Sequence, residues 1–156
     1  GVTDDKAGPF AEIDEWTRSW DVNVMSQVHA ARAAMPAMLE RGEGYFVNTA
    51  SAAGLLIDVG SMAYTATKHA SVGLSEWMAV TYGDRGIRVS CLCPMGVRTP
   101  MVAQAQSLDI ARHIVPDAIE PEQVADNIGA VELQLTTDVV AALDAIFPGP
   151  EALSNF

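Results

Sequence analysis

The chain has 156 residues, 49% of them hydrophobic, which is enough for one domain with a buried core and too apolar for a disordered segment. Its formal net charge of −11 opposes binding to phosphate backbones, so no nucleic-acid partner is expected. No apolar run approaches the roughly 20 residues of a membrane span, and the start carries no signal-peptide pattern, so the expectation is a cytoplasmic protein with no membrane partner.

Taken in chain order, the first ten residues hold two glycines, a proline and charges, and read as a loop. Residues 14–41 show helical spacing with a break near Asn23. Within them, residues 30–39 are rich in Ala, Met and Leu, and Pro36 predicts a kink. Arg41-Gly42-Glu43-Gly44 ends this helix, and residues 45–49 follow as a short strand. After a loop at 54–60, residues 62–82 form a second helix closed by Gly83-Asp84-Arg85-Gly86. Residues 87–93 are mostly apolar, as a parallel strand buried on both faces reads. Strand, helix, strand in this order predicts an α/β fold with a right-handed parallel crossover. Past Thr99 the pattern thins: residues 121–129 look helical behind Pro121, residues 130–135 alternate as a last strand, and Thr136 or Thr137 caps a helix to about residue 146.

The chemistry-bearing pattern is Tyr64-Thr65-Ala66-Thr67-Lys68. Positions four apart share one face of a helix, so the Lys68 ammonium can lie beside the Tyr64 phenol. A free phenol titrates near ~10 and is a poor base at neutral pH, whereas a nearby cation favours the phenolate. A tyrosine so tuned can exchange a proton with an alcohol or carbonyl. With three tyrosines and two lysines, chance alone gives such a pair in roughly 4% of chains of this composition. The plain alternative is a surface Tyr–Lys pair, and the neighbouring residues decide between them.

Ser51 lies in Asn48-Thr49-Ala50-Ser51-Ala52-Ala53-Gly54, just past the carboxyl end of the first strand, and Pro94-Met95-Gly96-Val97-Arg98-Thr99 lies just past the second. Ligands of open α/β sheets bind at those ends. Cys91 and Cys93 are the two cysteines; on a strand they share one face, and they read as buried and reduced. His29, His69 and His113 are scattered without metal-ligand spacing, so no metal is expected.

Together these stretches resemble the short-chain dehydrogenase/reductase family, whose signature is an active-site Ser, a gap of about twelve, and Tyr-x-x-x-Lys. Trp20-Asp21-Val22-Asn23-Val24 is similar to the family's helix asparagine, and Gly86-Ile87-Arg88-Val89-Ser90-Cys91-Leu92-Cys93-Pro94 to the strand after its catalytic helix. Met95 stands where many members carry Gly, with Gly96 following. The resemblance spans residues 1 to about 126 and implies the C-terminal portion of a doubly wound, Rossmann-like parallel sheet. It implies an NAD(P)-dependent oxidoreductase for a small-molecule secondary alcohol or carbonyl, with NAD or NADP as cofactor. Ser51, Tyr64, Lys68 and Asn23 become the catalytic residues: Tyr64 as acid and base, Lys68 lowering its pKa and binding the nicotinamide ribose, Ser51 holding the substrate oxygen, and Asn23 positioning a water towards Lys68. Tyr64, Lys68, Pro94, Gly96, Val97 and Thr99 become the cofactor contacts, and a homo-oligomer paired through helices at 24–40 and 62–82 becomes the expected assembly.

No Gly-x-x-x-Gly-x-Gly or Gly-x-Gly-x-x-Gly run occurs, and Gly1 is similar to the last residue of the family's Asn-Ala-Gly element. The expectation is therefore one domain over 1–156, truncated at its N-terminal side, with an atypical tail at 130–156. A fragment of a longer protein is favoured over a chain that assembles with a second polypeptide. The competing class is an inactive truncated domain that serves as an oligomerising or interaction protein.

Overall fold

A computed structural model describes residues 1–3, 8–105 and 118–124. The chain divides into two compact units, Gly1–Pro121 and Glu122–Phe156. Of the second, residues 122–124 are described, and they are helical as expected. The expected strand at 130–135 and helix to 146 lie outside the described residues.

The first unit opens with α1 (Ile13–Trp20), a π-helical turn (Asp21–Met25) and α2 (Ser26–Arg41). Trp20, Asp21, Met25 and Ser26 all keep right-handed helical dihedrals, so the rod is continuous. The break expected near Asn23 is thus an expanded turn, a device common at functional positions. α2 also runs through Pro36, whose missing N–H removes one ladder bond without ending the helix. It stops at Gly42, which takes φ +70 while the Glu43 N–H returns to the Met38 carbonyl at 3.2 Å.

β1 (Gly44–Thr49) and β2 (Ile87–Leu92) pair in parallel, from Gly44 opposite Ile87 to Thr49 opposite Leu92, with α3 (Met62–Tyr82) as the crossover. Both strands and α3 fall within a residue or two of their sequence-based limits. Gly86 enters β2 at φ +78 with the Gly42 carbonyl packed where a Cβ would stand, so this position requires glycine.

Met35 of α2, Met78 of α3 and Ile87 of β2 form the buried core, flanked by Ala31, Met38, Leu39, Phe46, Leu74, Tyr82 and Val89. The strand residues that meet the helices alternate: Phe46 in β1, Ile87 and Val89 in β2. On the opposite face, the Tyr45 hydroxyl lies 2.7 Å from Ser90 Oγ, and the Arg88 guanidinium stacks 5.4 Å from the Tyr45 ring centre. The expectation that β2 is buried on both faces is therefore corrected: of its residues only Ile87 is buried. The described helices α2 and α3 cover one face, and the apolar run in β2 satisfies only that side.

Between α3 and the α1–α2 rod runs a seam of polar side chains. Thr67, Ser71 and Ser75, spaced four apart along α3, are 0, 0 and 2% exposed. Ser71 Oγ donates to the Asn23 carbonyl at 3.0 Å, and Gln27 Nε2 donates to Ser71 Oγ at 3.3 Å. Asn48 Nδ2 donates to Ser75 Oγ at 2.9 Å, which ties β1 into the same seam. Each buried hydroxyl thus has a partner, as burial demands.

Candidate active site

Ser51 follows β1 in extended conformation, and its Oγ accepts the Ala53 N–H at 3.2 Å, capping a short 3₁₀ turn at Ala52–Gly54. That turn packs directly on α3 because Gly54 has no Cβ; one built there would lie 2.7 Å from the Lys68 carbonyl oxygen and 2.8 Å from Val72 Cγ2. α3 begins behind Ser61, whose Oγ accepts the Tyr64 N–H at 3.0 Å. Tyr64 therefore sits in the first turn of α3, and Lys68 comes one turn later on the same face.

The Lys68 ammonium lies 5.4 Å from the centre of the Tyr64 ring. Lys68 is 4% exposed and donates a long hydrogen bond, 3.4 Å, to the Thr49 carbonyl. Burial pushes the Tyr64 phenol above its ordinary value, a side-chain hydrogen bond with Ser51 works against that, and the Asp58 carboxylate adds to it. The expected proximity of lysine and phenol is present, yet the net direction at the phenol is opposite to the expected one, because desolvation of a buried phenolate outweighs the favourable contacts. Burial likewise lowers the Lys68 ammonium. Both cysteines are free and half-buried, more open than the sequence implied.

Asn23, 2% exposed, sits in the π turn and acts as a clamp. Its Oδ1 accepts the Val2 N–H at 2.8 Å, and its Nδ2 donates to the Val2 carbonyl at 2.8 Å and to Thr67 Oγ1 at 3.1 Å. Its carbonyl accepts Ser71 Oγ and Gln27 Nε2. Gly1 packs in the same place, where a Cβ would stand 2.9 Å from Asn23 Oδ1 and 3.1 Å from Lys68 Nζ.

The loop after β2 is tied to the site by the Ala52 N–H, which donates to the Pro94 carbonyl at 2.8 Å. Further along, Gly96 and Arg98 bond to both sides of Ile119, at 2.9 Å each, and Val97 forms a parallel bridge with Ile119. Arg98 pairs with Glu120 at 2.9 Å. Thr99 precedes α4 (Pro100–Ala105). The geometry brings Ser51, Tyr64 and Lys68 together, attaches Asn23 through Thr67, and attaches Pro94 through Ala52; Gly96, Val97 and Thr99 belong to the zipped segment beyond. A cavity of about 300 Å³ runs beside Val47, Asn48 and Thr49 of β1 and reaches this group at Lys68 and Asn23, while Ser51 and Tyr64 lie outside its lining. Sequence reasoning missed Asp58 and the Thr67–Ser71–Ser75 stripe. The stripe's spacing of four was a readable signal; the nearness of Asp58 to the phenol depends on how the intervening loop folds back.

The family model described as short chain dehydrogenase matches residues 1–109. The chain is 35% identical to the cyclohexanol dehydrogenase of Acinetobacter sp. (strain SE19) over 72% of its own length and 45% of that protein. It is 33% identical to the D-beta-hydroxybutyrate dehydrogenase of Rhizobium meliloti (strain 1021) over 90% of its length and 54% of that protein. It thus spans about half the length of these curated relatives. Among solved structures, a 4-hydroxyisoleucine dehydrogenase complexed with NADH superposes with a TM-score of 0.70 at 27% identity, covering 86% of this chain and 58% of that one.

Proposed function

This chain belongs to the short-chain dehydrogenase family, and we propose that the encoded protein interconverts a secondary alcohol and a carbonyl with NAD or NADP as hydride carrier. The observation that carries this reading is the meeting of the Tyr64 phenol, the Ser51 hydroxyl and the Lys68 ammonium at the carboxyl end of β1. The residues fit a nicotinamide ribose: the buried Lys68 ammonium has three donors, and one is engaged, weakly, with Thr49. When bound, the nicotinamide supplies or accepts the hydride.

The side chains do the rest. Ser51 donates to the substrate oxygen and holds it beside the phenol. Tyr64 gives that oxygen a proton in reduction and takes one in oxidation. A phenol is protonated at neutral pH and burial raises it further, so the acid for reduction is ready, and oxidation gains as pH rises. Lys68 steadies the phenolate and would hold the ribose hydroxyls of the bound nicotinamide. Asn23 fixes α3 against the residues around Val2 and so positions Lys68. Val97 and Thr99 would contact the carboxamide end of the nicotinamide, with Pro94 and Gly96 as further cofactor contacts. Trp77 and Val80, 58% and 85% exposed on α3, suit a homo-oligomeric contact that light scattering would detect.

The test is titration of the encoded protein with NADH and NADPH while tryptophan fluorescence is followed. Quenching by either supports the oxidoreductase, and no response to either overturns it in favour of an assembly role.

A further inference from the structure

We infer that this site takes an uncharged, apolar secondary alcohol or ketone and turns away hydroxy acids, with Asp58 as the residue that sets the choice; the inference rests on the oxidoreductase reading above. The segment between Ser51 and Tyr64 carries Leu55, Leu56, Ile57 and Val59, all strongly exposed, and Met62 opens α3 half-exposed. Met95, also exposed, follows Pro94, whose carbonyl holds the Ala52 N–H, so the two loops are tied at their roots. Single exposed apolar residues need no explanation, but five in two joined loops that begin at Ser51 and Pro94, with Met62 at the head of α3, do. They make the stretches that leave Ser51 and Pro94 apolar on their open side.

Asp58 is the one charged residue in 52–63. It does not wave in solvent. Its N–H and carbonyl both bond to Thr65 Oγ1, at 3.0 and 3.1 Å, and its Oδ1 accepts the Gly60 N–H at 2.9 Å. Its negative charge is felt at the Tyr64 phenol. A hydroxy acid would bring its own carboxylate within one or two carbons of the reacting centre, beside this fixed anion. The cations at hand already have a negative partner: the Lys68 ammonium, buried beside the ring, is balanced by the phenolate it steadies, and Arg98 is paired with Glu120. A like charge fixed at a half-exposed position beside the reacting centre discriminates against such an acid by about tenfold.

The reaction moves the carbinol hydrogen as hydride to NAD(P)⁺ and the hydroxyl proton through Tyr64 to water, leaving the ketone. The test measures the encoded protein with the cofactor it binds, on cyclohexanol and on both enantiomers of 3-hydroxybutyrate. The expected result is a kcat/KM for cyclohexanol at least about tenfold above either acid, and a ratio that Asp58→Asn narrows by a similar factor. Asparagine keeps an oxygen for the Gly60 N–H while removing the charge. The same variant is expected to move the rise of oxidation rate to lower pH. The double variant Leu56→Gln, Ile57→Gln changes exposed side chains only, and is expected to raise KM for cyclohexanol relative to the acids. Preference for 3-hydroxybutyrate, or a ratio unmoved by both variants, overturns the inference and leaves the oxidoreductase reading intact. Turnover of neither substrate also overturns it, and the NAD(P)H titration, which involves no substrate, then tells whether the broader reading falls as well.

Discussion

Replacing Lys68 by methionine removes a charge while keeping most of the side-chain volume. The ammonium lies 5.4 Å from the centre of the Tyr64 ring. At about that distance and an effective dielectric near 20, its attraction for a phenolate is about 3 kcal/mol. That corresponds to roughly a hundredfold less phenolate at any pH where the phenol is mostly protonated. The sign follows from the site: burial already holds the phenol above its ordinary value, so the reactive fraction near neutrality is small, and loss of the cation shrinks it further. Oxidation of an alcohol by the encoded protein, followed as NAD(P)H absorbance across neutral to alkaline pH, is expected to fall about a hundredfold near neutrality. The rise of rate with pH is expected to shift upward. Because Lys68 is almost wholly buried, removing its charge also relieves desolvation, so circular dichroism and the urea midpoint are expected to hold. An unchanged pH profile, or a uniform loss at every pH, would refute the reasoning.

Tyr64→Phe is expected to cut turnover by about 10²–10⁴-fold with the fold intact, checked by single-turnover kinetics beside circular dichroism. The same variant bears on stability: a phenol raised in the folded state contributes fully below about pH 10 and its contribution is lost as pH climbs through the folded value, so Tyr64→Phe should flatten alkaline destabilisation in urea titrations. Gly54→Ala forces a methyl against the Lys68 carbonyl and is expected to destabilise by about 1–3 kcal/mol, visible in the same titrations. Thr67→Val removes the hydroxyl that links Asn23 Nδ2 to the Tyr64 carbonyl; leaving a buried donor unpaired should cost about 1–3 kcal/mol and speed amide exchange at Val2.

The readable parts of this chain were those with local causes. Tyr64 and Lys68 share a face because helical geometry places positions four apart together, and the strand limits follow from Gly42, Gly44 and Gly86, which punctuate the chain. The unreadable parts depend on what packs where. Asn23 reads as a disturbance in a helix, but whether the chain breaks or swells into a π turn depends on Ser71 and Gln27 taking its carbonyl. The apolar run in β2 reads as burial on both faces, and only the placement of α2 and α3 reveals which face is used. The direction of the phenol's shift was equally hidden, since desolvation belongs to the assembled environment and spacing alone reports just the cation.

The hydroxyl stripe on α3 bears on how firmly the Tyr64 phenol and the Lys68 ammonium are held in place. An oily contact between two rods tolerates slippage, because many weak, interchangeable touches are exchanged for similar ones. Here a slide of one turn, about 5.4 Å, would separate Ser71 from Asn23 and Ser75 from Asn48 in a single move. The helix is keyed rather than greased, with one notch that satisfies every hydroxyl, and the phenol and ammonium it carries inherit that fixed longitudinal setting.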